Sequence, residues 1–140
     1  MLYDTLADAE APTPAEFRAA YAAELAAVVD EHGVETVAEA ADLEVSVVAG
    51  FADGDLGETT LAEAAAVLSL SGPDAETVAA EVRDHLLMGM STAILDVDTV
   101  AAEIDADLGG KAVRQALEGQ IRLTLAELAE IQSLIRTRSR

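Results

Sequence analysis

The chain has 140 residues, 51% apolar but only 3% aromatic, so its interior must be built from Ala, Val, Leu and Ile. It carries 27 acidic residues against 8 basic, a net charge of −19, and no cysteine. A disulfide framework and a thiolate metal site are thereby excluded, and no apolar run reaches the roughly 18 residues a membrane span needs.

Residues 1–13 read as a flexible acidic lead-in, and Met1-Leu2-Tyr3-Asp4 has neither the basic region nor the apolar core of a signal peptide, so a cytoplasmic location is expected. Thr13-Pro14-x-Glu16 is a capping box with proline at the first helical position. The helix it opens is expected to run to about His32 and stop at Gly33, burying Phe17, Tyr21, Leu25, Val28 and Val29. Short helices follow at Glu35 to Asp42 and Val45 to Ala52, then a loop at Asp53 to Gly57. Thr59 or Thr60 caps a helix ending near Leu70, before Ser71-Gly72-Pro73.

A second long helix is expected from Asp74 to Ile94, bent near Gly89, with Val78, Val82, His85 and Leu86 inward. Asp96 or Asp98 caps a short helix carrying Val100, Ala101 and Ile104. Gly109-Gly110 makes a turn, Lys111 to Glu118 a helix ended by Gly119, and Thr124 caps a last helix through Arg136. No stretch alternates with period two for long enough to be a strand. The expected class is all-α, with about eight helices.

The order repeats. Thr36-Val37-Ala38 and Thr60-Leu61-Ala62-Glu63 return as Thr99-Val100-Ala101 and Thr124-Leu125-Ala126-Glu127, with the threonines 24 residues apart in the first copy and 25 in the second. This predicts two tandem helix-turn-helix-like repeats sharing a core, over residues 14–72 and 73–140. A helix-turn-helix needs a small residue in its first helix, an apolar one after the turn, and apolar residues on the inner face of its second helix. Ala38, Leu43, Val48 and Phe51 fill these places in the first copy; Ala101, Leu108, Val113 and Ala116 or Leu117 fill them in the second. The second turn is longer, seven steps from Ala101 to Leu108 against five from Ala38 to Leu43.

With Gly54 and Gly119 closing the second helix and Thr-Leu opening the next, each copy resembles the lambda-repressor-like (Xre/Cro) helix-turn-helix family. The resemblance covers residues 23–70 and, more loosely, 81–137. It implies DNA reading by the second helix of a copy. The whole chain is also similar to small acidic proteins of uncharacterised function from halophilic archaea, a likeness that implies little about mechanism.

Charge divides the copies. Residues 1–110 hold 24 acids against Arg18 and Arg83, a balance of −22, whereas residues 111–140 balance at +3. Dispersed carboxylates suit adaptation to high salt, or else a cationic partner. Neither explains why six of eight cations lie in the last 30 residues. Where a reading helix would meet the major groove, the first copy has Glu44, Val45, Ser46, Ala49 and Gly50, with Asp53 and Asp55 beyond, and is expected to be dead as a reader. The second has Gly109, Gly110, Lys111, Arg114 and Gln115, with Arg122 beyond; Lys or Arg to guanine and Gln to adenine are base-edge pairings. The alternative is an ordinary solvated helix face. Arg136, Arg138 and Arg140 end the chain as a phosphate grip, as cations favoured at a helix C-terminus, or as a latch on the acidic first half.

Other chemistry is thin. His32 and His85 read as packed or capping residues, and Asp53-x-Asp55-x-Gly57 lacks the third ligand and terminal glutamate of a calcium loop. Leu86-Leu87-Met88-Gly89-Met90 suits a core or a dimer seam. No cofactor, metal or catalytic residue is expected, and no enzyme. Two functions remain: a DNA-binding transcriptional regulator of a halophile with the second copy as reader, or a protein-interaction or dimerisation module, pairing with itself or another protein, that keeps the fold without DNA.

Overall fold

The computed structural model describes residues 2–7 and 9–139. Its eight α-helices are α1 (Pro14–His32), α2 (Val34–Ala41), α3 (Val45–Gly50), α4 (Leu61–Leu68), α5 (Ala75–Ala93), α6 (Val97–Glu103), α7 (Gly110–Leu117) and α8 (Leu125–Arg138). Short 3-10 turns lie at Leu2–Asp4 and Phe51–Asp53, and no named strand occurs among the described residues. The all-α expectation holds.

The helix starts follow from side-chain chemistry. Thr13, Thr60 and Thr124 each accept the N–H of a glutamate three residues on, and that glutamate accepts the threonine N–H in return. Two orphan donors are satisfied per helix. Thr60, not Thr59, is the cap of α4. Asp74 and Asp96 cap α5 and α6 by accepting the N–H of Thr77 at 2.9 Å and of Thr99 at 2.8 Å. Those hydrogen bonds hold both carboxyls below their ordinary acidity range. Gly33, at φ +92°, both ends α1 and opens α2, so those two helices turn without a loop between them.

The long helices form the centre. α1 packs on α8 and α5 on α4, while α5 and α8 also cross. Phe17, Tyr21, Leu25, Val28 and Val29 of α1 are buried as their spacing predicts. Val78, Val82 and Leu86 of α5 are buried likewise, but His85 is not; it is exposed and stacked on Tyr3 at 4.7 Å between ring centroids. The apolar stripe of α5 advances by four from Val78 to Met90, and His85 falls beside it. Gly89 lets α8 approach: a Cβ there would lie 2.7 Å from Ile135 Cγ2. Across the middle, Leu61 N–H donates to Leu123 O at 2.7 Å and Leu125 N–H to Thr59 O at 2.9 Å. Thr60 and Thr124, two of the three capping threonines, face each other in that antiparallel pair.

The lead-in, expected to be flexible, has structure of its own. Leu2, Thr5 and Pro12 are buried, and α8 holds the segment from beneath. Gln132 Nε2 donates to Leu2 O at 3.2 Å, and Ser133 Oγ to Pro12 O at 2.7 Å. Tyr21 Oη donates to Gln132 Oε1, completing a buried polar chain, and burial raises the Tyr21 hydroxyl well above its ordinary pKa.

Candidate nucleic-acid interface

α7 turns Val113, Ala116 and Leu117 into the core. The 3.6-residue period therefore sends Lys111 and Arg114 outward, where both are exposed, with Gln115 half-buried at their side. Arg122, in the loop beyond, is exposed too. Among the described residues none of these three cations forms an ion pair or a side-chain hydrogen bond.

Both ends of α7 are set by glycines. Gly109 is the N-cap and offers no side chain; Gly110 begins the helix against Asp98 of α6, whose Oδ1 a Cβ would overlap. The Asp98 carboxylate thus stands near the first turn of α7, whose positive end favours it. Phosphate would compete with that carboxylate for the same end. At the other end Gly119 takes φ +76°, and a Cβ there would meet the Arg83 guanidinium at 3.1 Å from Cζ. Arg83 comes from α5, and with Arg122, Ile121 and the first residues of α4 it lines a small cleft of about 100 Å³. It brings a further cation beside Arg122, one that no sequence motif places there. Only the close approach of α5 to Gly119 brings it there, and no local pattern encodes a contact between residues so far apart.

Arg136 and Arg138, unlike the cations around α7, already have partners. Arg136 Nη2 donates to Ala7 O at 3.1 Å and also to Ala9 O, and Arg138 pairs with Glu103 of α6. Arg136 thereby supports the latch alternative, though its acceptors are backbone carbonyls rather than carboxylates. Arg140 lies outside the described residues.

The face of α3 contrasts with this one. Glu44, Val45, Ser46 and Ala49 are exposed on α3, and Val48 with Phe51 is buried. Asp55 Oδ1 accepts the N–H of Gly57 at 2.9 Å, so that carboxylate shapes a turn. Among the described residues no three His, Asp or Glu side chains gather as a metal site, and no helix is long and apolar enough to cross a membrane.

The chain belongs to DUF5791, a family of unknown function. The family matches over residues 17–138, from the first turn of α1 to the end of α8, and leaves out the lead-in. No curated protein and no solved structure matches the chain.

Proposed function

We propose that this chain is a DNA-binding regulator built as a duplicated helix-turn-helix, with α7 as the reading helix. The observation that carries the reading is the cluster of Lys111, Arg114 and Arg122, exposed and unpaired around one short helix of a chain otherwise dominated by carboxylates. Leaving several cations unneutralised among 27 acids suits a surface kept for an anionic polymer. The duplication is supported by the reciprocal bonds at Thr60 and Thr124, and by α1 packing on α8 as α4 packs on α5. Those two packings exchange if the halves are related by an approximate two-fold axis. In this arrangement α3 and its acidic surroundings serve as scaffold.

The test is retention of sheared genomic DNA by the full chain in about 2 M KCl, where screening shortens the reach of the acidic surface to a few ångströms. Arg114→Glu is expected to abolish retention and Ser46→Glu to leave it unchanged. Equal retention by Arg114→Glu and the parent overturns the assignment of α7.

A second reading, a protein-interaction module, draws on the Asp98 carboxylate at the first turn of α7 and on the exposed apolar side chains of α5. Leu87 is 45% and Met88 63% exposed, and Ile94 just beyond is 92% exposed. A folded protein that retains no duplex in the same salt selects this module.

A further inference from the structure

A hollow lies away from α7, where the lead-in, α5 and α8 meet over α1. It has a volume of about 310 Å³, at the lower end of the range for small-molecule sites. At about 30 Å³ per water it has room for roughly ten waters. Phe17, Leu86 and Ile135 give it an apolar lining, and Tyr3 stacked on His85 gives it an aromatic wall.

Most polar groups around it are already spent. Gln132 uses its oxygen on Tyr21 and its nitrogen on Leu2 O. The hydroxyls of Thr92 and Ser139 donate to carbonyls of their own helices, Met88 O and Ile135 O. The Tyr3 hydroxyl lies near the Glu81 carboxylate, whose charge raises its pKa. Besides the second N–H of the Gln132 amide, two groups keep free capacity among the described residues. Arg136 gives only Nη2 to the lead-in carbonyls, leaving Nε and Nη1, and the His85 ring has no hydrogen bond among the described residues.

A flat apolar body fits the walls, and a carboxylate fits the remaining fork of Arg136. We propose that this hollow is a binding site for a small aromatic carboxylate, its ring against Tyr3 and His85 and its carboxylate on Arg136. The ligand touches the lead-in, α5 and α8 together, so it ties the first residues of the chain to the last helix. The assignment is independent of what α7 binds.

The probe is 2-naphthoate, titrated into the full-length isotope-labelled chain in about 2 M KCl, which screens repulsion by the acidic surface. Amide signals of Gly89, Thr92 and Arg136 are expected to shift together and saturate. The neutral analogue 2-naphthamide is expected to bind about tenfold or more weakly, for want of the charge-assisted bond. Arg136→Gln lowers naphthoate affinity to that of the amide. Because this variant also loosens the lead-in, Thr92→Trp supplies the second test: it fills the mouth from an exposed position and is expected to abolish binding while leaving helicity unchanged. No saturable shift, equal affinity for naphthamide, shifts confined to Leu87 and Ile94, or full binding by a folded Thr92→Trp would each overturn the site.

Discussion

α3 and α7 are alike on the inside and unlike on the outside. Each buries a valine near its middle, Val48 or Val113, and each is followed within a few residues by a glycine in the left-handed region, Gly54 at φ +81° and Gly119 at +76°. Each is followed by a helix with the same threonine–glutamate box. Their solvent faces share nothing: Glu44, Val45 and Ser46 on one, Lys111, Arg114 and Gln115 on the other. The inward features recur in both helices, and the solvent faces differ. A surface that packing does not constrain is where a difference in binding has to be sought.

The likeness inside is incomplete, and the largest expected effect exposes that. The 3-10 turn after α3 inserts Phe51, 1% exposed, beside α1, whereas α7 offers Ala116 and Leu117 in its place. Phe51→Ala is expected to cost about 3–5 kcal/mol and Leu117→Ala about 2–4, from lost burial plus the cavity left behind. Denaturant unfolding of both variants ranks them. A larger cost at Leu117 would mean that the second half, not the first, anchors the core.

Gly89 sharpens the comparison between the long helices. α1 carries buried Val28 toward its C-terminal end, while α5 carries Gly89 pressed on the β-branched Ile135. Gly89→Ala would ordinarily gain helix stability. Here it is expected to lose about 1–2 kcal/mol, because a stiff side chain 2.7 Å away cannot step aside without moving α8. A stabilised Gly89→Ala would show that the crossing has slack.

Much of this was legible in the chain. Helix positions, threonine caps and the stripe on α1 come from local rules acting within a turn or two, and the structure follows them. His85, Arg83, the lead-in and Arg136 were not legible in the same way. Arg136 reaches carbonyls at Ala7 and Ala9, and Arg83 reaches Gly119. Such contacts depend on how whole helices cross, and a backbone carbonyl as acceptor leaves no mark in the sequence. The same holds for the hollow beside Gln132: its walls come from four segments, none with a motif. The cations of α7 were legible because helical period and charge both act locally.

The capping boxes give a smaller and more symmetric test. Thr60→Ala and Thr124→Ala each remove one cap and are expected to cost about 1 kcal/mol. The two losses should agree within a few tenths, since both threonines sit in the same antiparallel pair. A markedly larger loss at one would show that the pair leans on one half.

The smallest effect separates the halves by acid. At Thr13, Thr60 and Thr124 the group that accepts the third residue's N–H is a neutral hydroxyl, whereas at Asp74 and Asp96 it is a carboxylate. Backbone N–H donors from Thr77 and Thr99 depress both carboxyls below their ordinary value of 3.8. A depressed carboxyl adds stability that is complete above the unfolded value and disappears as pH falls through the folded one. Acid titration is therefore expected to loosen the starts of α5 and α6 below about pH 4, seen as faster amide exchange at Thr77 and Thr99 while Glu63 and Glu127 keep their protection. Asp74→Ser with Asp96→Ser, which caps without a titrating group, should remove that acid-induced difference. If exchange at Thr77 and Thr99 quickens equally in the double variant, the loss arises from general repulsion relieved or rebuilt elsewhere, and the two capping chemistries are equivalent in acid.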